Sequence, residues 1–245
     1  MKNKYQTFLI NLDKSTQRLS ACDAMLKSQG ISYERMPAVY GADLTEAHIA
    51  KVYSSKKPDS FYKTLGAGEI GCYLSHINVW NEIIARQLDY AVILEDDISI
   101  ASVDFNKLME SVASFPSEWH YIKLLARGNP KFERNQACGN GFNLVTYKKV
   151  PTRTGAQIVS REGAKRLLAS CQPFGRPIDV DLRYWWEKNI VVQGLMPYAF
   201  VANHESESEI AKLGNRKKGN KKPIKGVLDK LKYYALMQIH GLKLK

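Results

Sequence analysis

The residues best able to do chemistry sit together at positions 91–100, AVILEDDISI, where four apolar residues lead into Glu95, Asp96 and Asp97. Adjacent carboxylates repel one another and are costly to desolvate, so three of them at the mouth of a core segment require a positive partner. Hard divalent cations, Mn²⁺ or Mg²⁺, take such oxygens and bridge the oxygens of a phosphate. A solvated acidic turn after a strand is the plain alternative. The chain has no GxxxxGK[ST] run, and its GxGxxG match, Gly66 to Gly71, follows a stretch that reads as a loop rather than a strand, which argues against a P-loop and against a glycine cradle for a dinucleotide. What remains is a metal holding a phosphorylated substrate, as in nucleotide-sugar transfer. A metal-dependent phosphohydrolase or nucleotidyltransferase could use the same acids.

The surrounding pattern shows what must position the acids. Val92 and Ile93 are β-branched, and a short apolar run bounded by polar residues predicts a strand buried on both faces. Upstream, residues 5–12 read as a strand. Asp13 or Ser15 can cap a helix whose stripe is Leu19, Cys22, Met25 and Leu26, closed by Gly30. A strand near 32–36 completes a β-α-β start, which predicts parallel strands and a ligand crevice at their carboxyl ends. Residues 46–53 read as a short helix, and 69–87 as a stronger one leading straight into the acids. Beyond them the pattern predicts a helix over 105–115, a strand over 119–125 and strands within 142–160 around a turn at Thr154-Gly155. Helices over 162–171 and 179–188 and a strand over 190–193 follow.

At 245 residues with 44% hydrophobic composition, the chain can bury one large core, with or without an appendage. The formal net charge of +12 is unevenly placed: eleven Lys or Arg and a single acid, Asp229, fall at or beyond Lys212, leaving positions 1–211 nearly balanced. A catalytic body over 1–213 and a basic tail over 214–245 are expected, rather than a basic groove for nucleic acid. No apolar run approaches the roughly 20 residues of a membrane span, and the start lacks a signal-peptide pattern, so a soluble cytoplasmic protein is expected. The four cysteines form no CxxC pair and read as reduced thiols. In the tail, Ile224, Val227, Leu228, Leu231, Ala235, Ile239 and Leu242 share one side of a helix, blurred by Tyr233, Leu236 and Met237. Beside the basic run RKKGNKK, that stripe suits an anionic membrane surface, or else packing on the body or a second subunit.

Four stretches in chain order carry a likeness: FLINLDKSTQR with PAVYGADL, then GEIGCYLSHINVW, then YAVILEDD, then TGAQIVSREGAKRLL with RPIDVDLRYWW. Together they resemble glycosyltransferase family 25, which includes bacterial lipooligosaccharide galactosyltransferases. The resemblance implies a GT-A-like α/β fold, a Rossmann-type mixed, mainly parallel sheet flanked by helices. It also implies inverting transfer of galactose from a UDP-sugar to a lipid-linked oligosaccharide, at the inner face of the cytoplasmic membrane. No nucleic-acid partner is expected, and an oligomer is left open. Glu95-Asp96-Asp97 stands where the family has its DxD-like motif, with Glu in first place. Asp97 leads as metal ligand, with Glu95 and, from the far side, His204; Glu95 or Asp96 would also reach the donor. Further donor contacts fall to Asn11, Leu12 and Arg18 at the end of the first strand, to Glu69, Ser75 and His76 on the helix feeding the acids, and to Gly155. A surface arginine and a hydrogen-bonded core histidine are the ordinary readings of Arg18 and His76. Inverting transfer needs a base on the acceptor hydroxyl, and Asp179, ahead of Asp181, is the candidate. Asp at a helix start is also an ordinary cap. Trp185 and Trp186 could stack on an acceptor sugar.

Overall fold

The computed structural model describes residues 3–101, 103–115, 118–203 and 223–242. The β-α-β start is present as strand β1 (Tyr5–Asn11), helix α1 (Thr16–Ser28) and strand β2 (Glu34–Pro37), with β1 and β2 parallel. A 3-10 turn (Gly41–Asp43) and α2 (Glu46–Val52) lead to α3 (Ala67–Ala85), which delivers the chain to β3 (Tyr90–Glu95). Helix α3 starts before residue 69 because Glu69 reaches back: its Oε2 accepts the Gly66 N–H at 2.9 Å, satisfying a donor that the first turn leaves open. Then come β4 (Ile98–Ile100), α4 (Phe105–Ala113), β5 (Tyr121–Lys123), β6 (Phe132–Ala137) and β7 (Asn143–Tyr147). β8 (Ala156–Ser160), α5 (Arg161–Cys171), α6 (Ile178–Asp181), β9 (Val192–Met196), β10 (Phe200–Ala202) and α7 (Pro223–Leu242) complete the described chain.

Eight strands form one sheet in the order β2-β1-β3-β8-β5-β9-β7-β6. Strands β8 and β7 run against the rest, so the sheet is mixed with most strands sharing one direction. The strand feeding the acids lies inside it. Ala91, Val92, Ile93 and Leu94 are all 0% exposed. Ala91 and Ile93 join the apolar cluster built around α3, while Val92 and Leu94 join the one around α1 and α4. Burial on both faces leaves the strand one polar exit, at its carboxyl end, where the acids stand.

The structure corrects several expectations. β6 is an edge strand of mostly exposed polar residues, so it carries no apolar alternation to announce it. The strands within 142–160 do not pair with each other, because β5 and β9 lie between β7 and β8. The helix over 179–188 is broken: α6 stops at Asp181 and a 3-10 turn holds Trp185–Lys188. The chain folds back there so that Lys188 Nζ lies 2.7 Å from Asp181 Oδ2, two groups that a straight helix, rising about 1.5 Å per residue, would hold apart. Finally, α7 packs on the body through Tyr233, which is buried, and through His240, stacked on Trp186 with centroids 5.2 Å apart. Trp186 is therefore covered by the tail helix and is not an open sugar platform.

Candidate active site

Strands β1 and β3 pair with Ile10 opposite Glu95, so Asn11-Leu12 and Asp96-Asp97 emerge together at the carboxyl ends of parallel strands, where open α/β sheets bind ligands. The three acids then part company. Asp96 Oδ2 accepts the Asn11 side-chain N–H at 2.7 Å and the carboxylate forms an ion pair with Arg18. Arg35 fixes Asn11 in turn, donating Nε–H to its Oδ1 at 3.1 Å. Burial still pushes the Asp96 carboxyl up against those partners. Asp96 is neutralised within the chain, so it ties α1 to the acidic turn.

Glu95 is held from behind. Tyr121 donates its hydroxyl proton to Gln157 Oε1, which turns the Gln157 amide N–H toward His76 Nδ1 at 3.0 Å. His76 Nε2–H then donates to Glu95 Oε1 at 3.0 Å. Tyr121, Gln157 and His76 are each 0% exposed, and a buried polar chain with every member satisfied fixes geometry firmly. Burial opposes ionisation of Glu95, but the hydrogen bonds from His76 and Thr154 and the charge of Arg18 outweigh it and hold the carboxyl below the usual glutamate range. Asp97 has less support. Burial and the neighbouring Glu95 charge push its carboxyl up to about 6, the signature of an anion short of positive charge.

Two adjoining cavities meet at Glu95 and Asp97. The first is lined by Asn11, Leu12, Arg18, Tyr40 and the three acids, with Ser75 and His76 in its wall. That wall needs small residues: a Cβ on Gly41 would lie 1.8 Å from the Ala67 carbonyl oxygen, and one on Gly71 would lie 2.5 Å from that of Val39. Ser75 Oγ accepts the Val39 N–H and donates to the Gly71 carbonyl, both at 2.8 Å. Ser75 therefore positions the loop at Val39. The second cavity is lined by Glu69, Arg127, Arg153, Gly155 and Asp179 as well as by Glu95 and Asp97. Gly155 serves through its backbone, its carbonyl accepting the Glu95 N–H at 2.8 Å. Glu69 caps α3 and also lies 3.3 Å from Lys63 Nζ.

The two candidate bases separate cleanly. Asp179 is half-buried and faces the second cavity; its Oδ2 accepts the Arg153 N–H at 3.3 Å. Asp181 is 5% exposed and spent on structure, with Tyr73 OH at 2.7 Å, Arg176 Nη1 at 3.1 Å and Lys188 Nζ at 2.7 Å. As a base for an acceptor hydroxyl it is corrected. Removing one partner from such a network leaves buried charge unpaired, so Asp181→Ala should cost about 3–5 kcal/mol. Urea unfolding reads this directly; an unchanged midpoint would take Asp181 out of the core and back toward the cleft.

Arg153 was not legible in the sequence. It holds a left-handed backbone, φ +76°, a conformation that costs a non-glycine residue about 1–3 kcal/mol and tends to occur at working sites. Two groups hold it there: Asp179 takes its N–H, and the buried Lys123 ammonium donates to its carbonyl. Burial lowers the Lys123 ammonium to about 8, against the pull of Asp179 and Glu95. Gln157 also escaped notice, since its partners Tyr121 and His76 are distant in sequence. His204 lies outside the described residues.

A metal could meet this chain in two places. Cys72, His76 and Glu95 offer ligand atoms within 4.8 Å of one another. Both ring nitrogens of His76 are already hydrogen-bonded, and burial raises the Cys72 thiol well above its ordinary range, so neither is ready to ligate. The hard oxygens of Asp97 and Glu95, opening on both cavities, fit Mn²⁺ or Mg²⁺ better.

Residues 4–182 match the sequence profile of glycosyltransferase family 25, described as LPS biosynthesis protein. The chain belongs to this family. Human procollagen galactosyltransferase 2 is 30% identical over 183 residues, covering 72% of this chain and 29% of the relative. The mouse inactive glycosyltransferase 25 family member 3 is 32% identical over 184 residues, covering 72% and 30%. The chain thus spans under a third of the length of these curated relatives, and one of the two is named inactive, so activity has to be argued from the cleft. Among solved structures, the Drosophila β1,4-galactosyltransferase 7 complex with manganese, UDP-Gal and xylobiose is 14% identical, with a TM-score of 0.37, covering 89% of this chain and 82% of that one. The family match contains all the site residues named in the cleft, from Asn11 to Asp179. It ends before α7.

Proposed function

We propose that this family 25 chain is a metal-dependent, inverting glycosyltransferase that moves galactose from UDP-galactose to a lipid-linked oligosaccharide of the lipooligosaccharide kind. The observation that carries this reading is the joining of two cavities at Glu95 and Asp97, one at the ends of parallel strands and one holding Asp179. The first suits the nucleotide, with Asn11, Leu12, Arg18 and Tyr40 around it. The second suits the sugar and the acceptor. The names of the relatives support galactose as the transferred sugar.

Asp97 and Glu95 would hold Mn²⁺ or Mg²⁺, which when bound supplies positive charge to the diphosphate of the donor and of the departing UDP. The chain's own residues do the rest. The Tyr121–Gln157–His76 chain keeps Glu95 ionised and aimed. Asp179 takes the proton of the acceptor hydroxyl as its oxygen bonds to the anomeric carbon and the bond to the UDP oxygen breaks. Arg127 and Arg153, at the rim of the second cavity, are placed to meet the negative charge released to UDP.

Incubation with UDP-galactose and Mn²⁺ tests the reading against phosphohydrolysis or nucleotidyl transfer. UDP should be released fast only when an oligosaccharide acceptor is present, with galactose recovered on the acceptor. Equal release without acceptor, or recovery of UMP or galactose 1-phosphate, would overturn it.

A further inference from the structure

We infer that α7 is a membrane-surface helix, docked to the body by one face and offering the opposite face to an anionic bilayer. Among the described residues, eight large hydrophobic side chains are exposed, and six of them lie on α7. Ile224, Val227, Leu228, Leu231 and Ile239 are the stripe already visible in the sequence, with Ile224 77% and Leu231 63% exposed. The helix is not loosely placed. Tyr233 packs on Trp186 and edge-on to Tyr184, His240 stacks on Trp186, and Lys149 donates to the Tyr234 hydroxyl at 2.8 Å. The residues that blur the amphipathic pattern, Tyr233 foremost, are the ones that seat it. Seating uses one side and leaves the apolar stripe in water, which is unfavourable unless something covers it.

Charge selects the cover. The single acid of the tail, Asp229, is already paired with Lys225 at 3.0 Å, while Lys230 and Lys232 are exposed and the preceding residues 216–222 carry five cations and no acid. Pairing two copies through this stripe would bring two such tails together and set like charges side by side. The chain just before the helix, residues 204–222, offers only Ile210 and Leu213 as large apolar residues, too few to fill the stripe. An interfacial helix with cations beside its apolar face matches acidic headgroups over acyl chains. Among the described residues no helix is long and apolar enough to cross a membrane, so the contact is one of lying on the surface. This inference stands apart from the transferase reading, although a lipid-linked acceptor would sit at the same surface.

Co-sedimentation of the full chain with phosphatidylglycerol–phosphatidylcholine vesicles, and with phosphatidylcholine alone, tests it. Binding is expected to the anionic vesicles only and to weaken as salt rises. Leu228→Ser with Leu231→Ser should weaken it about tenfold or more with an unchanged melting temperature, because both side chains already face water. Lys230→Gln with Lys232→Gln should weaken it and flatten its salt dependence. Absence of binding, equal binding to neutral vesicles, or equal binding by the Leu228→Ser, Leu231→Ser protein would overturn the inference. A dimer in solution that the same two substitutions abolish would give the face to a second copy instead. The vesicle assay reads no sugar transfer, so it can fail while transfer to a soluble acceptor stands, and the reverse.

Discussion

Asp179→Asn should lower kcat for transfer by roughly 10²–10⁴-fold, the usual worth of a general base, while affinity for UDP with Mn²⁺ stays within a factor of about two. The reasoning is positional. Asp179 lines the second cavity, away from the residues proposed to surround the nucleotide, and among the described residues its side chain accepts a hydrogen bond from the Arg153 backbone. The amide of Asn can still accept that bond, so the left-handed turn at Arg153 should survive and the melting temperature should hold. Asn cannot take a proton. Single-turnover transfer beside equilibrium UDP binding separates the two effects, and normal turnover by the variant would remove Asp179 from the base role.

Asp97→Ala should be the more damaging change, lowering transfer by at least about 10³-fold, since a metal at a diphosphate contributes several kcal/mol. Here binding should fail along with turnover, because the Mn²⁺-dependent part of UDP affinity would go. Stability should not fall. Asp97 is an anion held against its preference, its carboxyl pushed up to about 6 by burial and by Glu95, so its removal relieves repulsion among the acids when the protein is assayed without metal. A variant that melts no lower than the parent, binds UDP equally with and without Mn²⁺ and transfers no sugar is the expected result. Mn²⁺-dependent UDP binding at the parental level would instead place the metal elsewhere.

What the sequence made legible follows from how local each signal is. The strand into the acids announced itself because both of its faces are apolar and its polar exit is abrupt, and the structure buries Ala91 to Leu94 completely. Helix α3 was legible for the same reason, its apolar residues recurring at helical spacing. β4 and β10 are three residues each, too short to show a period, and β6 is polar and exposed. The break after Asp181 was hidden because it depends on Arg176, Lys188 and Tyr73 converging on one carboxylate, and Tyr73 comes from another helix. The cleft was half legible. Glu95, Asp97 and Asp179 carry their chemistry in their own side chains, but Gln157 and Lys123 act through partners set far along the chain. His76 illustrates the limit: the family resemblance suggested a donor contact, whereas its burial and two hydrogen bonds give the ordinary reading, a core histidine, with Glu95 as one of its partners. In α7 the stripe was visible, but which face would dock was not, since Trp186 and Tyr184 decide it from outside the helix.

The central claim is that Glu95 and Asp97 join a metal to a nucleotide-sugar at the meeting of the two cavities. Anomalous diffraction at the manganese edge from crystals grown with Mn²⁺ and UDP tests it most directly. The account predicts one strong peak within coordination distance of Asp97 and Glu95 oxygens and of the diphosphate, with the uridine toward Asn11, Leu12 and Tyr40. A peak coordinated by Cys72 and His76, or UDP seated in that pocket with no metal beside Asp97, would contradict it.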